Sequence, residues 1–135
     1  MSYKIEDIEG ISAIYGAKLK DQGVSTVETL LEKGASKKGR EALAEATGIS
    51  EKLILKWTNH ADLFRINGVG PEFSELLEAA GVDTVKELRN RVPANLHAKL
   101  AEINETKNLV RRLPSESQVA DMVEQAKSLD AKMTY

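Results

Sequence analysis

Gly68-Val69-Gly70-Pro71 sets two glycines and a proline among apolar residues, and that pattern has two uses. Glycine lets an anion approach the main chain closely. A helix starting at Pro71 would present unpaired amides and a partial positive charge. Phosphate suits such an arrangement, held through backbone amides rather than side chains. The competing use is mechanical, a tight corner between two helices that binds nothing. A dinucleotide fingerprint is not met, because the third glycine and a preceding strand are both missing.

Other residues that could do chemistry are cationic. Lys33, Lys37, Lys38 and Arg40 cluster in "KGASKKGR", Arg89 and Arg91 in "RNR", and Lys107, Arg111 and Arg112 in "KNLVRR". Ser36 places Lys37 and Lys38 in the exposed first turn of a helix, where acids are normally favoured. Cations held there against that preference point to an anionic partner, and the alternative for each cluster is a solvated face. Trp57 shares an apolar helical stripe with Leu53, Ile54, Ala61 and Phe64, which makes it core rather than a stacking platform. His60 and His97 have no metal-ligand spacing and are expected at the surface or its boundary. Carboxylates lie among lysines on helical faces. A nucleophilic lysine would need a desolvated pocket, of which the sequence gives no sign. The chain reads as a non-enzyme, with no catalytic residue, no metal site and no cofactor.

The elements that must position these residues are helical. No sustained alternation and no hairpin turn signals a strand. Ser12 caps a helix to about Gln22, with Gly23 turning the chain. Thr26 starts a short helix ending before Gly34, Ser36 one that stops at Gly48, and Ser50 a third. Pro71 opens a helix that ends at Gly81, and Thr84 with Glu87 is expected to form a capping box for the next one. Pro93 and Pro114 introduce the last two helices, with Ser115 and Gln118 capping the final one. The expected fold is all-α.

Composition agrees. With 135 residues, 41% hydrophobic and 30% charged, the chain can bury one core or two small ones. Aromatics are only 4%, so Leu, Ile, Val and Ala must build that core. The net charge of −2 leaves attraction to phosphate to local patches. Absence of cysteine excludes disulfides and zinc–thiolate sites. The first residues carry no secretory pattern, and no apolar run approaches the ~18 residues of a membrane span. A cytoplasmic protein without membrane contact is expected.

An internal duplication organises the chain. Residues 8–30, "IEGISAIYGAKLKDQGVSTVETL", align without a gap on 66–88, "INGVGPEFSELLEAAGVDTVKEL". Ile8/Ile66, Gly10/Gly68, Leu19/Leu77, Gly23/Gly81, Val24/Val82, Thr26/Thr84, Val27/Val85 and Leu30/Leu88 are identical. Further on, Trp57 pairs with Met122 and Ala61 with Ala126 only if the second copy carries an insertion, placed in "TKNLVRRLP". The repeats are 1–63 and 64–135, packed as one unit.

"INGVGPEFSELLEAAGV" resembles the helix-hairpin-helix motif, and "IEGISAIYGAKLKDQGV" resembles a second, weaker copy. The tandem form is similar to that of an uncharacterised bacterial family of small helix-hairpin-helix proteins. The resemblance implies sequence-independent DNA binding through Gly68, Val69 and Gly70 in the second copy and Gly10, Ile11 and Ser12 in the first. Lys18, Lys37, Lys38 and Arg40 would add charge. Two departures weigh on this. Ser12 replaces the second glycine of the first copy, and its hydroxyl can satisfy the amides a phosphate would use. In the second copy Glu72, Glu75 and Glu78 follow the intact glycines. The alternative is a protein-interaction or scaffold domain whose hairpins serve only packing.

Overall fold

The computed structural model describes residues 3–135. The fold is all-α. Among the described residues there are eight α-helices, a short 3-10 turn at Ile5–Asp7, and one isolated antiparallel bridge, Lys4 with Thr26. Two compact units result, Met1–Asp62 with Lys132–Tyr135, and Leu63–Ala131.

In the first unit the side-chain caps do what the sequence indicates. Ser12 accepts from Tyr15 N to start α1 (Ala13–Asp21), and Thr26 accepts from Thr29 N to start α2 (Val27–Gly34). Ser36 accepts from Gly39 N to start α3 (Lys37–Thr47), which ends at the left-handed Gly48. Ser50 opens α4 (Glu51–Leu63) by accepting from Leu53 N. Each cap satisfies one of the amides that a helix start leaves unpaired. Ile5, Ile8, Leu19, Val24, Val27, Leu30, Ile54 and Trp57 fill the interior.

The second unit contains α5 (Pro71–Ala79), α6 (Val85–Leu88), α7 (Pro93–Lys107) and α8 (Glu116–Ser128). Helix α7 packs on α8 and α5, and α6 packs on α8. Leu63, Ile66, Leu76, Leu77, Val82, Val85, Leu88, Leu96, Leu100, Val119, Val123 and Ala126 form its core.

The same local bonds recur 58 residues apart. Val24 N donates to Leu19 O, and Val82 N to Leu77 O, both at 2.9 Å. Thr26 and Thr84 cap their helices with equal 3.2 Å bonds. Lys33 Nζ donates to Gln22 O at the end of α1, and Arg91 Nη2 to Gly81 O just past α5. A cation closing a helix C-terminus suits the dipole there.

Some local expectations change. Glu87 does not complete a capping box with Thr84, and its carboxylate instead accepts from Arg91 at 3.5 Å. Helix α2 takes in Gly34, whereas α6 stops after four residues. His60 is fully buried on α4 rather than at a surface, while His97 Nε2 lies 3.0 Å from Pro114 O. Residues 132–135 join the first unit instead of continuing the second, because Met133 is buried there and Thr134 N donates to Ala35 O.

Candidate nucleic-acid interface

Each hairpin begins with the same turn. Ile11 N donates to Ile8 O at 3.2 Å, and Val69 N to Ile66 O at 3.1 Å. Gly10 and Gly68 hold φ of +95° and +99°, a region that favours glycine. Packing adds a second constraint. A Cβ on Gly10 would stand 3.3 Å from Trp57 Nε1, and one on Gly68 would stand 3.2 Å from Met122 Cε. Trp57 is buried, with its ring centroid 5.2 Å from that of Tyr15. The first glycine of each hairpin is therefore a structural corner.

The second position behaves differently. Gly70 is the N-cap of α5 with φ −116° and ψ −166°, extended backbone that any residue adopts. Ser12, its counterpart, is equally extended, at φ −75° and ψ 174°. Ser12 Oγ accepts from Tyr15 N at 3.4 Å, but no side chain caps α5. Glycine at 70 thus leaves the first turn of α5 uncovered without being required by the turn. Ile11 and Val69 are both buried, and their amides are used within the turn.

The flanking residues set opposite electrostatics. Glu72 is exposed in the first turn of α5, with Glu75 and Glu78 half-buried behind it. The matching residue in the first hairpin is Ile14, which is 70% exposed. Lys18 is exposed on α1, while Lys20 pairs with Glu6 and holds that carboxyl below its ordinary range.

The basic run divides. Lys37 and Lys38 are exposed in the first turn of α3. Arg40, grouped with them from the sequence, is only 2% exposed and belongs to the interior. Its guanidinium donates to Gly34 O (2.8 Å), Ala35 O (3.0 Å) and Thr134 O (2.7 Å). A buried guanidinium needs such acceptors, and here main-chain carbonyls supply them. Arg89 is similarly engaged with Leu129 O, whereas Lys107, Arg111 and Arg112 are exposed.

Sequence reasoning did not find the clamp behind the second hairpin. Gln125 on α8 accepts from Asn67 N at 2.9 Å and donates to Asn67 O at 3.2 Å. Beside it, Asn67, Gly68, Ser117, Gln118, Asp121 and Met122 line a cleft of about 300 Å³. An amide on a distant helix carries no local signal that it grips a turn.

No cluster of three or more metal-ligating side chains occurs among the described residues, and no helix among them is long and apolar enough to cross a membrane. A family model described as "Domain of unknown function (DUF4332)" matches residues 9–129, from the first hairpin through α8. The chain belongs to that family. The DUF4332 match includes the hairpin turns and their caps, and it stops before residues 132–135. No curated protein matches the chain, and no solved structure does.

Proposed function

We propose that this DUF4332 chain is a non-enzymatic, cytoplasmic binding module of the helix-hairpin-helix kind, holding nucleic acid by its backbone phosphates without reading sequence. Gly68-Val69-Gly70 is the principal grip. Lys37 and Lys38 on the first unit add charge, as does Lys18 beside the Gly10-Ile11-Ser12 hairpin. The observation that carries the reading is Gly70, a glycine in extended backbone that leaves α5 without a side-chain cap. Amides at an uncapped helix start suit a phosphate oxygen.

A second reading is favoured by one observation. Ile14 is largely exposed in the first turn of α1, where an apolar side chain suits a protein partner better than a phosphate. Under that reading the hairpins serve packing, and the net charge of −2 is no obstacle.

Titration of a labelled duplex against salt tests the first reading. Neutralising about four phosphates gives a slope of about −3.6 in log K against log salt, with a non-specific Kd of about 10⁻⁴ to 10⁻⁶ M. Glu72→Gln should tighten binding about two- to fivefold, since a charge at the first turn acts on its neighbours with about 0.3–1 kcal/mol. Absence of binding at low salt would give the protein-partner reading precedence.

A further inference from the structure

The link between the last two helices of each unit differs in length and in charge. Three residues, Gly48 to Ser50, join α3 to α4, whereas eight, Asn108 to Ser115, join α7 to α8. The longer link is where alignment of the repeats requires an insertion, and it carries cations that the shorter one lacks. Lys107, Arg111 and Arg112 are exposed there, and no carboxylate occurs from Thr106 to Ser115. Glu105 and Glu116, both exposed, stand at the two ends. Among the described residues no carboxylate pairs with any of the three cations.

A loop that merely keeps charge in solvent has no need of a fixed backbone, and this one is fixed at several points. Asn108 turns it in the left-handed region, at φ 51°, with its N–H on Asn104 O. The Asn104 side chain then holds Val110 twice. Its Nδ2 donates to Val110 O at 3.0 Å, and its Oδ1 accepts from Val110 N at 2.9 Å. Val110 is buried, and Leu109 and Leu113 pack against the core of the second unit. His97 Nε2 donates to Pro114 O at 3.0 Å. Arg111 and Arg112 therefore leave a backbone anchored on both sides, and a ligand has only their side chains to order.

Beyond Pro114 the loop runs into α8, whose Ser117 and Gln118 share with Asn67 and Gly68 the cleft beside the second hairpin. Arg112 is three residues from the cap Ser115, at most about 11 Å of chain. Phosphates recur every ~3.4 Å along the axis of one strand, so a single backbone offers charge to both places.

We infer that the α7–α8 loop is a preformed cationic contact of the second unit. Arg111 and Arg112 hold phosphates flanking the one at the start of α5, Lys107 adds charge, and Asn104 is the positioning residue. Guanidinium forks suit phosphate oxygens. The inference rests on the phosphate-binding reading and adds charge on the unit that holds the uncapped hairpin.

Arg111→Ala/Arg112→Ala and Asn104→Ala in the full chain test it, each checked by circular dichroism, with a short labelled DNA duplex and polyglutamate as probes. Loss of the arginines should weaken duplex binding about two- to thirtyfold at low salt, the range of two exposed ion pairs. It should also flatten the salt slope by about 1.8, for two phosphates. Asn104→Ala keeps every charge, so the slope should stay while affinity falls about two- to tenfold from the added ordering. Duplex binding that the arginine change leaves intact would overturn the loop contact and leave the nucleic-acid reading standing. Unchanged affinity in folded Asn104→Ala would overturn the positioning by Asn104. Both arginines are exposed, so their change keeps the fold and decides the case if Asn104→Ala unfolds. No duplex binding by any form would remove the inference and the nucleic-acid reading together, and arginine-dependent binding of polyglutamate would then assign the loop to an acidic protein partner.

Discussion

Gly70→Ser puts into the second hairpin the residue the first hairpin already carries. Backbone at position 70 accepts it, since φ −116° and ψ −166° are ordinary extended values. Pro71 imposes nothing further, because the residue before a proline prefers this same region. The new hydroxyl should accept from Phe73 N, as Ser12 Oγ accepts from Tyr15 N. Serine exceeds glycine at an N-cap by only a few tenths of a kcal/mol. That gain corresponds to about 1–2 °C in Tm for a chain of this size. Binding to duplex DNA should nevertheless weaken, because the hydroxyl takes an amide the phosphate would use. Gly68→Ala is the contrasting change. It forces a side chain into φ +99° and brings a methyl to 3.2 Å from Met122 Cε. The flexible methionine tip can shift, so backbone strain of about 1–3 kcal/mol dominates and lowers Tm by several degrees. Differential scanning calorimetry and fluorescence anisotropy on the same samples give both quantities. If Gly70→Ser binds the duplex as well as the parent does, amides at the start of α5 hold no phosphate and Gly70 is not a grip.

Lys37→Ala/Lys38→Ala should change unfolding free energy by less than about 0.5 kcal/mol, because exposed substitutions do little. On duplexes of any sequence it should flatten the salt slope by up to about 1.8, which salt-dependent anisotropy measures. Arg40→Met should destabilise by about 2–4 kcal/mol in urea unfolding, since Gly34 O and Thr134 O lose the guanidinium as donor and Ala35 O keeps only its bonds from Thr134. Asp83 is pushed above its usual value of 3.8 by desolvation first, with the charges of Glu87 and Glu78 adding to it. The folded chain therefore holds that proton more tightly than the unfolded chain, and stability falls as pH rises from 3.8 through the raised value. Asp83→Asn should gain on the parent across that window and keep a constant advantage above it, as Tm against pH will show.

Much of the helical framework was legible because it is written locally. Ser12, Thr26, Ser36 and Ser115 each announce a helix one residue ahead, and each accepts the amide three positions on. Leu19, Val24, Val27 and Leu30, with their counterparts Leu77, Val82, Val85 and Leu88, are buried at the positions that the two aligned stretches share. The site was harder to read because its decisive facts are non-local. Arg40 looks like Lys37 and Lys38 in sequence, and only a segment more than ninety residues later shows that its guanidinium is covered. Trp57 and Met122 lie under the hairpin glycines, yet neither is near them in the chain. His60 reads as a surface or boundary residue, but α4 is buried on more sides than its apolar stripe suggests.

The two hairpins share a turn and divide its properties. At the first, Ser12 caps the helix, and Lys18 and Ile14 are exposed behind it. At the second, the helix start is uncapped, but Glu72 stands in its first turn. A carboxylate there gains about 0.3–1 kcal/mol from the same partial positive charge a phosphate would seek. Ligand and side chain thus compete for one dipole, and the advantage of an open helix start is partly cancelled before any phosphate arrives. Salt would weaken the repulsion between exposed Glu72 and an incoming phosphate, but it weakens the attraction to the lysines as well, so it does not restore what the glutamate removes. Only a change in the glutamate itself, or an added cation nearby, would. Under the phosphate-binding reading, Glu72 therefore decides how much of the helix start left open by Gly70 a phosphate can use.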